Sequence, residues 1–171
     1  MSLSTVPDEV PLDQLARART LRRLFLGAVA LAVLLGLVGV FGVRSATTRA
    51  SGGGFELEVT YPAMARPGLS VPWSATVRRA GGFDGPIVLA TSASYFDLFD
   101  ENSVDPDPAK STSDGEWIIW EFDPPETGDT FEVSLDTRMG PNEHWGASGE
   151  TAVLVDGTPA VSARYRTRVM P

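Results

Sequence analysis

The chain has 171 residues, no cysteine, and 22 acidic against 14 basic side chains. Disulfide staples and thiolate metal sites are therefore excluded, and any folded part must stand on its own apolar core. Through Ser51, six arginines face Asp8, Glu9 and Asp13. The remainder holds 8 basic and 19 acidic residues, a net of −11 within a total of −8. So acidic a body is a poor nucleic-acid ligand, because phosphate contacts need a basic surface.

Residues 1–23 carry Pro7, Pro11, scattered acids and an arginine cluster, too little for a domain. Residues 24–43 read LFLGAVALAVLLGLVGVFGV, twenty positions without a charge, amide or hydroxyl. As a helix they would extend roughly 30 Å, the thickness of a bilayer's hydrocarbon core. The run predicts a single transmembrane helix. Arg17, Arg19, Arg22 and Arg23 outnumber Arg44 and Arg49 on its other side. The positive-inside rule then puts the N-terminus in the cytoplasm and the C-terminal part outside, in the cell membrane. Thr48-Arg49-Ala50 offers a small-x-small cleavage site, but a signal h-region is about 7 to 15 residues long. An uncleaved signal anchor is expected. Ala28, Ala32 and Gly36 fall at i, i+4 and i+8, a small-residue stripe suited to helix–helix packing within the span.

Residues 44–54 (RSATTRASGGG) read as a polar, flexible linker. From Phe55 apolar residues alternate, the mark of half-buried strands. Phe55, Leu57, Val59 and Tyr61 form one face. After the Arg66-Pro67-Gly68 turn, Leu69, Val71, Trp73, Ala75 and Val77 form a second. Ile87 and Leu89 mark a third strand. Tyr95, Phe96, Leu98 and Phe99 break the alternation and fit one helical turn plugging an end of the core. Residues 101–115 read as an acidic loop. Trp117-Ile118-Ile119-Trp120 is apolar on both faces, as a central strand would be. Phe131, Val133 and Leu135 give a fifth strand. Asp156-Gly157, between residues 151–155 and 160–169, is a strong hairpin signal.

Seven strands with few helices predict an antiparallel immunoglobulin-like β-sandwich over residues 55–171. Further residues carry a resemblance. Arg66-Pro67-Gly68 before Val71-Pro72-Trp73, then Trp120-Glu121-Phe122-Asp123-Pro124 and Thr130-Phe131-Glu132-Val133, resemble bacterial extracytoplasmic Ig-like domains. The whole chain resembles small actinobacterial single-pass membrane proteins with such a C-terminal domain. The resemblance implies a β-sandwich fold and an envelope location. It implies no catalytic residue and no cofactor.

Candidate sites are few. His144, the sole histidine, lies in Asn142-Glu143-His144-Trp145 without a nucleophile at defined spacing. Catalysis is not expected of it. Asp97, Asp100, Glu101, Asn102, Asp105 and Asp107 offer oxygen ligands for calcium, but the spacing of a calcium loop is missing. Trp117 and Trp145 could stack on a wall glycan, whereas parity puts Trp73 and Trp120 in the core. The last strand sends Val161, Ala163, Tyr165, Thr167 and Val169 to one face and Ser162, Arg164, Arg166 and Arg168 to the other. Three guanidinium groups roughly 7 Å apart result. Cross-strand pairing with Glu132, Asp136 or Glu150 is one use for them. Docking onto an acidic partner or phosphate head groups is the other.

The sequence thus predicts a non-enzymatic, signal-anchored envelope protein. Its outer domain would bind another protein, most plainly a membrane protein, with Arg164, Arg166 and Arg168 as the docking row. A tethered module for wall glycan or calcium is the alternative.

Overall fold

Alternation of β-branched and aromatic residues with polar ones governs the chain from Arg44 onward. The structure, a computed structural model, describes residues 12–37, 44–141 and 145–170. It divides into two units, residues 1–42 and 43–171.

The first unit contains helix α1, Leu12–Leu37. Leu24, Phe25, Leu26, Val29, Leu31, Val33, Leu34 and Leu37 are all exposed on it. The expected transmembrane helix over 24–43 requires correction, since no helix among the described residues is long and apolar enough to cross a membrane. Among the described residues helix α1 covers residues 24–37 of the apolar run, and its other half carries the arginine cluster. These fourteen described residues extend about 21 Å, against roughly 30 Å for a hydrocarbon core. Residues 38–43 lie outside the described residues. The orientation inferred from flanking charge loses its basis with the span. Ala28, Ala32 and Gly36 do fall within α1. No described atom lies within 4 Å of a β-carbon built at Gly36.

The second unit is almost entirely strand: β1 Arg44–Gly52, β2 Phe55–Ala65, β3 Ser70–Arg79, β4 Ile87–Ser92, helical turn α2 Ala93–Phe96, β5 Phe99–Asp105, β6 Lys110–Ser113, β7 Trp117–Phe122, β8 Thr130–Met139, β9 Gly146–Val155 and β10 Thr158–Val169. They form one hydrogen-bonded ladder in the order β5-β8-β3-β2-β10-β9-β4-β7-β6, with β1 pairing β2. The ladder is continuous because β2 changes neighbours along its length. Residues 55–60 pair antiparallel with β3. Met64 and Ala65 pair parallel with Arg168 and Val169 of β10.

The ladder curls on itself. Trp73 of β3 packs edge-on against Trp120 of β7, with ring centroids 6.3 Å apart. Phe122 of β7 lies 5.0 Å from Phe131 of β8. These strands are far apart in hydrogen-bonding order, so the two flanks face each other across the core. Leu57, Val59, Leu89, Val133 and Leu135 are buried between them. Full burial of each such side chain contributes roughly 1.5 to 3 kcal/mol. Tyr95, Phe96, Leu98 and Phe99 are buried in and just after α2, as expected of a turn that plugs the core.

The seven-stranded antiparallel Ig-like sandwich is accordingly corrected to a curled, mixed sheet. Three strands are additional. Residues 44–52, expected as linker, form β1 and pair with β2 from Arg44↔Met64 to Gly52↔Phe55. Gly53 and Gly54 turn the hairpin with φ of 57° and 83°, which side chains resist. The stretch expected as an acidic loop contributes β5 beyond Phe99 and the whole of β6. Nor is β7 central: only β6, exposed at all four residues, separates it from the edge, and Trp117, Ile118 and Ile119 are half-buried.

The β9–β10 hairpin forms where the sequence places it. Asp156 and Gly157 take φ of 51° and 75°. Left-handed φ at both central residues is what a two-residue type I′ turn demands. Pro159 sits at the strand's start, where the register shifts between Pro159 and Val161.

Candidate functional site

The row on β10 is built by strand parity. Val161, Ala163, Tyr165, Thr167 and Val169 are buried, so Arg164, Arg166 and Arg168 face outward. Beneath them the strand is fixed by a buried polar network. The Tyr165 hydroxyl lies 2.9 Å from Thr151 Oγ1 and 3.3 Å from Thr91 Oγ1. The Thr167 hydroxyl donates to the Pro62 carbonyl at 2.6 Å and lies 2.7 Å from the Tyr95 hydroxyl. Burial pushes the Tyr165 phenol upward, opposed by its bonds to Thr151 and Thr91. The Tyr95 phenol is raised too, chiefly by burial and against its bond to Thr167. Both hydroxyls therefore remain neutral partners at physiological pH.

Above this network lies an open groove of about 590 Å³, lined by Tyr61, Ser92, Ser148, Gly149, Glu150, Arg164, Tyr165 and Arg166. The half-buried Tyr61 borders it, and its ring stacks on the buried Tyr165 ring at 5.2 Å. Gly149 forms the floor. A β-carbon there would stand 2.5 Å from the Tyr165 ring and 2.8 Å from the Tyr95 ring. The Ser92 hydroxyl accepts from the Glu150 amide at 3.0 Å and so holds α2's entrance against β9.

The arginines divide in use. Arg164 Nε donates to Glu150 Oε2 at 2.8 Å, the cross-strand pairing the sequence offers as one use. That bond, with a second from Ser162, holds the Glu150 carboxyl below its ordinary range. Arg164 is 83% exposed, so the pair adds only a few tenths of a kcal/mol. Arg166 stands opposite Ser148, and Arg168 opposite Gly146. Among the described residues neither has an acidic partner within 4.0 Å.

Other hollows are less open to a ligand. One of about 300 Å³ contains Arg49 and Glu58, already joined at 2.8 Å. Another of about 320 Å³ is rimmed by Phe55, Phe83 and Arg79, whose guanidinium is paired with Asp84 at 2.9 Å.

Among the described residues no three acidic or histidine side chains converge as a metal site. Asp97, Asp100, Asp105 and Asp107 are exposed and spread along α2's exit, β5 and the turn after it. His144 lies outside the described residues. Trp73 and Trp120 are buried, Trp117 is half-covered, and Trp145 is 83% exposed. Tyr61, Ser92, Ser148 and Gly149 were not legible as site residues, because they reach the groove from three strands, β2, β4 and β9. Sequence parity offered Glu132, Asp136 or Glu150 as a partner for the row, and the β9–β10 register selects Glu150 for Arg164.

No family model matches the chain, and no curated protein does. Among solved structures the chain is similar to the Pseudomonas fluorescens alkylpurine DNA glycosylase AlkC bound to DNA containing an abasic site analog. The identity is 15% and the TM-score 0.29, over 75% of this chain and 31% of that one. The chain thus spans about a third of that protein, and a likeness so low carries no argument about fold or activity.

Proposed function

We propose that the β domain is a non-enzymatic docking module that binds an acidic segment of a partner protein through the β9–β10 groove. One observation carries the reading: Arg166 has no acidic partner among the described residues and lines an open groove bordered by the half-buried Tyr61. Arginine and tyrosine dominate the energetics of protein interfaces, because both bring large rigid contact area and directed donors. A carboxylate on the partner would meet the Arg166 fork, and Ser148 and Ser92 would take up neighbouring polar groups. The rest of the domain is acidic and repels such a partner, which concentrates binding on this row. Nucleic acid is not the partner, given that surface. Helix α1 exposes apolar side chains, and the partner proposed is a membrane protein.

The reading is tested by a photocrosslinker placed at Ser148, with Thr112 on β6 as the control position. One recurrent membrane protein captured from Ser148 is expected, lost with Arg166→Glu and never captured from Thr112. Equal capture at both positions, or capture untouched by Arg166→Glu, overturns the reading. Recovery of polysaccharide in place of protein transfers the groove to a glycan ligand.

A further inference from the structure

We propose that two copies of this chain meet, sheet on sheet, through the outer face of β7, β4 and β9. The inference goes beyond the docking function proposed above and does not depend on the partner segment bound in the β9–β10 groove.

Register assembles the face. Ile119 of β7 pairs with Ala90 of β4, and Ala90 pairs with Ala152 of β9. Their sequence neighbours Trp120, Leu89 and Val153 belong to the core, so this row points outward. In the adjacent row Val88 stands between Glu121 and Leu154. Ile119, Val88 and Leu154 are half-buried, and none of them packs into the core. The opposite sheet differs. By the same parity its outer face carries Glu58, Thr76 and Glu132 in one row across β2, β3 and β8. A run of apolar side chains on one outer face alone marks it as a contact surface.

Shape and charge select a second copy as the occupant. In a twofold interface, a residue that meets another is met by it in return. The apolar row runs large, small, small. A twofold axis along β4 sets Ile119 of each copy over Ala152 of the other, with Ala90 facing Ala90. The row on the other side holds Trp117, Ser92 and Glu150. Asp114 flanks it beside Trp117, and Arg164 flanks it opposite Glu150. The same axis brings Arg164 of each copy over Asp114 of the other. Asp114 is exposed, and Arg164 is 83% exposed with only Nε bonded to Glu150. Glu121 stays at the rim beside Lys110, opposite it in register. An acidic body repels its own copies where like charges meet, whereas here each carboxylate meets an arginine.

The chain has no cysteine, so a single introduced one reports alone. Val88→Cys lies on the axis. Stacked sheets stand about 10 Å apart, beyond the roughly 7 Å that a disulfide spans between Cα atoms, so a short bismaleimide is the crosslinker. The full chain is used in mild detergent, which covers the apolar side chains of α1. Val88→Cys should be captured as a covalent dimer, and Thr76→Cys on the other outer face should stay monomeric. Adding Ile119→Lys to Val88→Cys should cut the dimer about tenfold, because it buries an unpaired charge. Adding Arg164→Gln instead should cut it several-fold. Thermal unfolding within a few degrees of the parent shows that each variant is folded. Ile119→Lys should leave capture from Ser148 in place, which separates this contact from the groove's partner. No dimer from Val88→Cys, equal capture at Thr76→Cys, or a yield that neither Ile119→Lys nor Arg164→Gln reduces overturns the inference.

Discussion

The Tyr95 hydroxyl lies 2.7 Å from Thr167 Oγ1, while that Thr167 hydroxyl donates onward to Pro62 at 2.6 Å. Thr167 has one proton to give, so Tyr95 must be the donor in the shared contact. One threonine thus ties α2 and β2 to the last strand. Tyr95→Phe removes a single donor and should cost about 1 kcal/mol. Thr167→Val strands the Tyr95 hydroxyl and deprives Pro62 of its partner, and should cost about 2 to 3 kcal/mol. Urea unfolding of both variants checks the order, and a Tyr95→Phe loss larger than the Thr167→Val loss would refute this assignment of donors.

The floor of the groove sets a second expectation. Gly149 faces the Tyr165 and Tyr95 rings at distances no real β-carbon tolerates. Both rings are buried, so neither can swing into solvent. Gly149→Ala should destabilise the domain by about 1 to 3 kcal/mol, as overpacked cores do. It should also disturb the groove. A variant as stable as wild type would show that the two rings have room to move.

Gly146 has a different role. Its φ is 132°, and a β-carbon there would run into the Thr167 carbonyl oxygen. The close approach lets the start of β9 lie on β10 and keeps Trp145 beside Val169. Gly146→Ala should push the two strand ends apart. The expected reading is altered collisional quenching of Trp145 fluorescence together with faster amide exchange at Val169. Exchange at wild-type rate would overturn this account.

Stability should depend on pH at both extremes. Arg164 holds Glu150 below its ordinary range, so the pair's contribution is complete above the unfolded carboxyl value of about 4.3. It is lost as pH falls through the lower folded value. Glu150→Gln should therefore be slightly less stable than wild type at pH 7, and the gap should close towards pH 3. Tyr95 and Tyr165 are raised by burial, so their contribution is complete below about pH 10 and declines as pH climbs beyond it. Alkaline titration followed by ultraviolet absorbance should show both phenols ionising late, together with unfolding.

Local pattern wrote much of this structure plainly. The hairpin at Asp156-Gly157, the alternation of residues 161–169 and the buried Trp73 and Trp120 all follow from period and turn chemistry. Strand β1 escaped because its inward positions are Ala46, Thr48 and Ala50, too small to look like a core face. Strands β5 and β6 escaped because Asp100, Asp105 and the serines of Lys110–Ser113 have little intrinsic strand preference, so their partners β8 and β7 decide for them. The parallel contact of β2 with β10 joins residues about a hundred positions apart, and no local signal announces it.

The arginine row was legible for the same reason as the strand: parity alone turns Arg164, Arg166 and Arg168 outward. Their different fates were not. Whether an arginine finds Glu150, Ser148 or Gly146 across the ladder depends on a register that only the folded chain fixes.

Because Met64 is flanked by both Arg44 and Arg168, the first and last strands of the domain arrive and depart side by side. Such a body is portable. It could be spliced into a surface loop of another protein without stretching its host, or recut at Asp156-Gly157 and rejoined through its old ends. The turns at Gly53-Gly54 and Asp156-Gly157 would then point away from whatever carries it, free to be lengthened or decorated.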